Sequence, residues 1–126
     1  MTKRIRTRLA IGITLIAVLL GISIPKYRSF ILKSKESVLE ANLVATRQVL
    51  KQYIKDKRQA PHSLQDLVDT GYFRQLPIDP ITRSNSSWRP VIETVVVSAG
   101  QADRGITDLH SGSSSISSNG TAYSTW

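Results

Sequence analysis

His62 and His110 are the only imidazoles in the chain, and 48 positions separate them. A metal centre or a nucleophile–base–acid triad needs further ligands that the sequence places near neither one. His62 stands ahead of a helix start and reads as a turn residue, and His110 ends a strand-like run and reads as solvated. Cysteine is absent, which removes disulfides, thiolate metal sites and cysteine nucleophiles. Serines are plentiful, but none follows a strong strand in a Gly-x-Ser-x-Gly elbow, and no glycine loop is spaced to cradle a phosphate. The basic stretch KDKRQ, Lys55 to Gln59, has the charge to touch nucleic acid or anionic lipid. At the far end of a stem outside the cytoplasm it instead solvates a helix end and complements its dipole, with no nucleic acid involved. These residue types point to a structural chain without catalytic residues.

The elements around them explain the charge. The formal net charge is +8, but it is polarised. Lys3, Arg4, Arg6 and Arg8 face no acid, and nine cations between residues 26 and 59 face only Glu36, Glu40 and Asp56. From Pro61 onward acids slightly outnumber bases. Between the first two groups lies an uncharged run of 17 residues, Leu9 to Pro25. As a helix it would reach roughly 25 Å, just under a hydrocarbon core of about 30 Å, with Lys26 and Arg28 snorkelling to extend it. The dense N-terminal cations predict a cytoplasmic N-terminus with the remainder of the chain outside the cytoplasm. A cleaved secretory signal shares the basic start and apolar core, but its small-x-small exit is poorly met at GISIPKY.

Beyond Pro25, apolar residues recur at three-to-four spacing from Phe30 through Leu39, Leu43 and Leu50 to Ile54, predicting one amphipathic helix from Tyr27 to Asp56. It continues the membrane segment, with a bend or loosened turn where Pro25 removes a backbone donor. A second, short helix follows, with Ser63 as N-cap, Asp66 three residues on and Gly71 as its stop. Leu76 to Ser87 is a loop. Three strand-like runs, Trp88 to Ile92, Thr94 to Ala99 and Gly105 to His110, with turns at Ala99-Gly100 and Asp103 to Gly105, predict a small three-stranded antiparallel sheet covering the long helix. The Ser-rich tail is read as an ordered loop closed by Tyr123 and Trp126. The fold class is α+β, in four parts: a basic cytoplasmic leader (1–8), a transmembrane or assembly helix (9–25), the amphipathic half of the stem (26–57) and a globular head with a C-terminal loop (58–126).

Several stretches resemble the type IV pilin superfamily and, within it, the G-type major pseudopilins of type II secretion. GITLIAVLL is similar to the prepilin signature, SIPKY to the Pro and Tyr that end the membrane half of pilin helices, and LPIDPIT to the turn that joins stem and head. DLHSGSSSISSNGTAYSTW looks like the C-terminal loop of G-type pseudopilins. The resemblance implies a pilin-like fold and a structural subunit of a bacterial secretion filament in the inner membrane. Its assembly helix would use Leu9, Leu15, Ile16, Ala17, Leu19, Leu20, Ile22 and Pro25. Its partners would be homologous pseudopilin subunits and the inner-membrane secretion platform.

The match departs from the family at two places. Placing Gly12 and Ile13 at the peptidase processing site puts Ala17 where the family carries a glutamate, whereas aligning on Pro25 puts Arg8 there and removes the glycine. Without that glutamate, processing by prepilin peptidase and polymerisation lose their family marks, and a minor subunit or a non-polymerising single-span periplasmic adaptor becomes the alternative. The resemblance also implies calcium in the C-terminal loop, with Asp108, Ser111, Ser114 and Asn119 as the available oxygens. Few of these are carboxylates, and a hydrogen-bonded Ser/Asn loop needing no cofactor is the competing expectation.

Overall fold

The computed structural model describes residues 2–126. Helix α1 spans Thr2–Lys57, α2 Gln65–Asp69, strand β1 Arg89–Ser98 and strand β2 Gln101–His110, with a short 3-10 turn at Tyr123–Thr125. The chain divides into two compact units, one ending at Ser34 and one covering Lys35–Trp126. The α+β class holds, as one long helix and a two-stranded antiparallel sheet.

In the first unit α1 keeps helical hydrogen bonding through Pro25, although proline has no N–H for the carbonyl one turn before it. Thr7, Thr14 and Ser23 donate their hydroxyls to the carbonyls of Lys3, Ala10 and Leu19 at 2.8–2.9 Å. Each polar side chain of the apolar rod thus finds its partner on its own helix, as a group facing hydrocarbon requires.

In the second unit the buried positions of α1 are Glu36, Leu39, Leu43, Thr46, Leu50 and Tyr53, a strict alternation of three- and four-residue steps. Val38, one residue before Leu39, lies off this stripe and is half exposed. Around the stripe, Leu39, Leu43, Leu50 and Tyr53 form one core with Leu67 of α2, Trp88, Ile106, Leu109 and Tyr123. Each large apolar side chain buried here contributes about 1.5–3 kcal/mol. Trp88 enters this core with its indole N–H satisfied by the Pro77 carbonyl at 2.8 Å.

The entry to helix α2 is built from side chains. The Asp66 carboxylate accepts the Ser63 and His62 N–H groups at 2.9 Å, and Ser63 Oγ accepts the Asp66 N–H at 3.3 Å. The Ser63 N–H above all, with the Ser63 hydroxyl and the His62 N–H, holds the Asp66 carboxyl below the usual carboxylate range. The Ser63–Asp66 hydrogen bonds are present, but the helix proper starts at Gln65 with Leu64, not Ser63, at the N-cap.

The sheet has two strands, where three were expected. The runs at Trp88 to Ile92 and Thr94 to Ala99 belong to one strand, β1, and Asp103 to Gly105 lies inside β2, paired with Val95, Thr94 and Glu93. The turn-like residues are there for tertiary reasons. Asp103 reaches across with its carboxylate to accept the Ala60 N–H at 2.8 Å, just past the end of α1. At Gly105 a Cβ would lie 2.6 Å from Ala60 Cβ and 2.7 Å from the Pro61 carbonyl oxygen. Beside it, Ile106 donates its N–H to that same carbonyl at 2.8 Å. Glycine is thus the residue that lets β2 seat against the 60–61 backbone.

Gly105→Ala should lower stability by about 1–3 kcal/mol through this overpacking, whereas alanine at Gly120, where a Cβ meets open space, should not crowd any neighbour. Thermal unfolding of the full chain in detergent, followed by near-UV circular dichroism, checks the first; an unchanged midpoint for Gly105→Ala would contradict the close approach.

Candidate functional site

The first candidate site is the stem. From Leu9 to Ile24 the large apolar side chains, including Leu9, Leu15, Ile16, Leu19, Leu20 and Ile22, are all exposed, Leu9 at 64 %. At about 100° per residue they point to several sides of the helix and form no single stripe. No part of this apolar window is buried within the protein, and by length and composition it is long enough to cross a membrane. Gly12, Ile13 and Ala17 lie in unbroken helix, as does Pro25.

The second candidate site is the C-terminal loop from Ser111 to Trp126, and carboxylates organise it from outside. Glu36, on the core stripe of α1 and only 7 % exposed, accepts the Ser118 N–H at 2.6 Å, the Ser118 hydroxyl at 2.5 Å and the Tyr123 hydroxyl at 2.8 Å. Asp79, fully buried, accepts the Ile81 and Thr82 N–H groups on one oxygen and the Ser111 hydroxyl and Gly112 N–H on the other. The loop from Leu76 to Ser87 is thereby tied to the start of the C-terminal loop. Gly112 makes this approach feasible, since a Cβ there would sit 2.0 Å from the Ser87 carbonyl oxygen.

The far end is closed by aromatic residues. Tyr123 is 1 % exposed and meets Trp126 edge-on, with ring centroids 5.3 Å apart. The Trp126 indole N–H goes to Thr121 Oγ1 at 2.9 Å, and His110 Nδ1 contacts the Trp126 main-chain oxygen. His110 is therefore half-buried and engaged, where the sequence suggested a solvated ring; His62 is exposed, and its N–H belongs to the α2 entry.

Three of the four residues read as calcium oxygens hold separate partners. Asp108 accepts Arg47 Nε at 2.6 Å and the Leu109 N–H at 2.7 Å, and Arg47 also donates to the Leu109 carbonyl at 3.1 Å. Burial opposes ionisation of Asp108, but the Arg47 guanidinium and the Leu109 N–H outweigh it and hold the carboxyl below its usual range. Ser111 is committed to Asp79, and Asn119 Oδ1 accepts from the Ser117 hydroxyl and from the Thr121 N–H and hydroxyl. Ser114 is exposed. A hard cation takes six to eight oxygens with carboxylates among them. Here the one carboxylate of the set is paired with Arg47 and the amide oxygen has donors of its own, so a cation bound at these residues would have to displace those partners. Among the described residues no group of three or more His, Cys, Asp or Glu side chains converges as a metal site.

Glu36 and Asp79 were not read as site residues. For Glu36 a signal existed: it continues the alternating three- and four-residue step back from Leu39. Counting only apolar residues passes over it, as it passes over Thr46, whose hydroxyl is satisfied by the Asn42 carbonyl at 2.8 Å.

Burial first, and then the Glu36 carboxylate beside it, push the Tyr123 phenol up to about 12. Its folded pKa lies above the unfolded value near 10, so the stability it contributes is intact below pH 10 and is lost as pH rises toward 12. The near-UV signal of the loop aromatics should fall across that window, and Tyr123→Phe should remove the part tied to phenol ionisation. Glu36→Leu, which strands the buried Tyr123 hydroxyl and removes the acceptor of the part-buried Ser118 donors, should cost about 2–4 kcal/mol by chemical denaturation, and more than Asn42→Ala at the half-buried rim.

Comparison of the chain with protein-family models, with curated proteins and with solved structures finds no match, which leaves the function to the geometry of the stem and the loop.

Proposed function

We propose that the chain is a structural, non-enzymatic subunit of pseudopilin type, held in the bacterial inner membrane by the Leu9 to Pro25 segment with its N-terminus in the cytoplasm and its head in the periplasm. In this reading it packs with homologous subunits on a secretion platform and helps export protein. One observation carries it: a helix with apolar side chains exposed on several sides, none of them covered by the rest of the protein. Such a surface needs lipid or other helices around it, because leaving it in water costs about 25 cal/mol per Å². Burial among sister stems replaces burial in lipid at little net cost, so a subunit can move between bilayer and filament. The ordered head supports the same role, since its side chains are spent on holding loops together.

The second reading is a single-span periplasmic adaptor that keeps a pilin-like head without polymerising. It is favoured by Ala17 and Arg8 standing at the two positions where an assembly glutamate would fall.

The absence of native cysteine makes the test clean. The chain carrying Ile16→Cys, produced with a prepilin peptidase and a set of pseudopilins, should stay in the membrane after alkaline extraction and form oxidative cross-links through Cys at position 16. Retention without cross-links, and with Met1 intact by mass spectrometry, would select the adaptor. Release by alkali would overturn both readings.

A further inference from the structure

The membrane reading uses Lys26 and Arg28 only to lengthen the span and leaves the exposed rings beside them without a role. Just past Pro25, α1 carries Lys26, Tyr27, Arg28 and Phe30, all exposed, with Tyr27 at 67 % and Phe30 at 69 %. They belong to the unit that ends at Ser34, and from Thr2 to Lys35 the sequence has no Asp or Glu. An exposed phenylalanine among cations costs free energy in water and has a use at a membrane boundary, where rings sit at headgroup depth and long cationic side chains reach phosphate.

The angular spread matters more than the composition. Relative to Lys26, the helix places Phe30 about 40° round, Tyr27 about 100° and Arg28 about 200°. The four side chains therefore spread over about 200° of the helix, with the two cations on nearly opposite sides. A protein partner docks on one side, and a cationic stripe would serve it; cations on nearly opposite sides fit a planar layer that surrounds the rod. The axial spacing agrees. Arg8 and Lys26 lie 18 residues apart, about 27 Å along the helix, so the leader cations and this group reach the two headgroup layers of one bilayer.

We propose that Lys26, Tyr27, Arg28 and Phe30 form a collar that binds anionic phospholipid in the leaflet on the head side. Lys26 and Arg28 take the headgroup phosphates, while Tyr27 and Phe30 set the depth of the helix in the interface. This rests on the membrane reading above and deepens it: the span is indifferent to lipid charge, and the collar is selective. Concentrating negative lipid beside the stem would also neutralise a rod that otherwise carries only positive charge along its first 35 residues.

The experiment uses the full chain with Ser29→Cys, labelled with a fluorophore at the only thiol and reconstituted into vesicles of phosphatidylcholine and phosphatidylglycerol at 3:1. Two preparations have the same bulk composition. In one the phosphatidylglycerol carries a nitroxide high on its acyl chain, and in the other an equal amount of phosphatidylcholine does. Quenching reports which lipid lies beside residue 29, well away from the leader cations. The expected result is about two- to fivefold greater effective concentration of phosphatidylglycerol at the label, reduced to parity by Lys26→Gln with Arg28→Gln and by high salt. Alkali-resistant flotation should be the same for both forms. Equal quenching by the two lipids in a chain that still floats would overturn the collar and leave the membrane reading standing; a preference that survives the double substitution would overturn it as well. A chain that fails to float would overturn the membrane reading together with the collar.

Discussion

The head depends on one constraint: neither a two-stranded ribbon nor a five-residue helix can bury a face without help, and the stripe on α1 is what each of them buries against. Leu39, Leu43, Leu50 and Tyr53 supply the apolar surface, and α2, β2 and Tyr123 close over it. The ribbon is further clamped at both ends of this surface. At one end Gly105 and Ile106 seat against the Ala60-Pro61 backbone; at the other Arg47 on α1 holds Asp108 and the Leu109 carbonyl. Asp108 and Arg47 are partly exposed, so their pairing is screened and acts more as a positioning contact than as a large source of stability.

Charge is handled in opposite ways along the chain. Residues 2 to 35 carry cations without acids, as a rod inserted in a bilayer with polar ends can. The head buries two carboxylates, Glu36 and Asp79, and satisfies each with N–H and hydroxyl donors from the loops they organise. A buried carboxylate is costly unless its lone pairs are occupied. Once occupied, it does for a serine-rich loop what a bound cation does for a carboxylate-rich one: it gives several chain segments a common centre. The loop from Ser111 to Trp126 has little apolar content, and this arrangement lets it be ordered despite a composition that usually means disorder.

That contrast bears on function. The polar groups of the head are largely occupied with holding it together, whereas the stem exposes apolar side chains from Leu9 to Ile24 with cations at both ends of that run. A protein whose interior is self-sufficient and whose stem needs an environment is suited to being placed and carried by an assembly.

The long helix, its apolar first half, the short helix between Ser63 and Gly71 and the fold class were legible because they rest on local rules: charge-free length, a three-to-four repeat, a reciprocal cap and a glycine stop. The strand count was not. Asp103 and Gly105 look like a turn because these residue types favour turns, but both are inside β2 for the sake of Ala60 and Pro61, more than 40 positions away. Glu36, Asp79 and the separate partners of Asp108, Ser111 and Asn119 were likewise invisible, since a carboxylate's partner depends on which loop folds back onto it. The sequence by itself determined the membrane-length rod and the amphipathic stripe, whose periodicity is a property of the helix alone; only the tertiary structure decided how many strands form and what the acids hold, because those outcomes depend on contacts between segments remote in the chain.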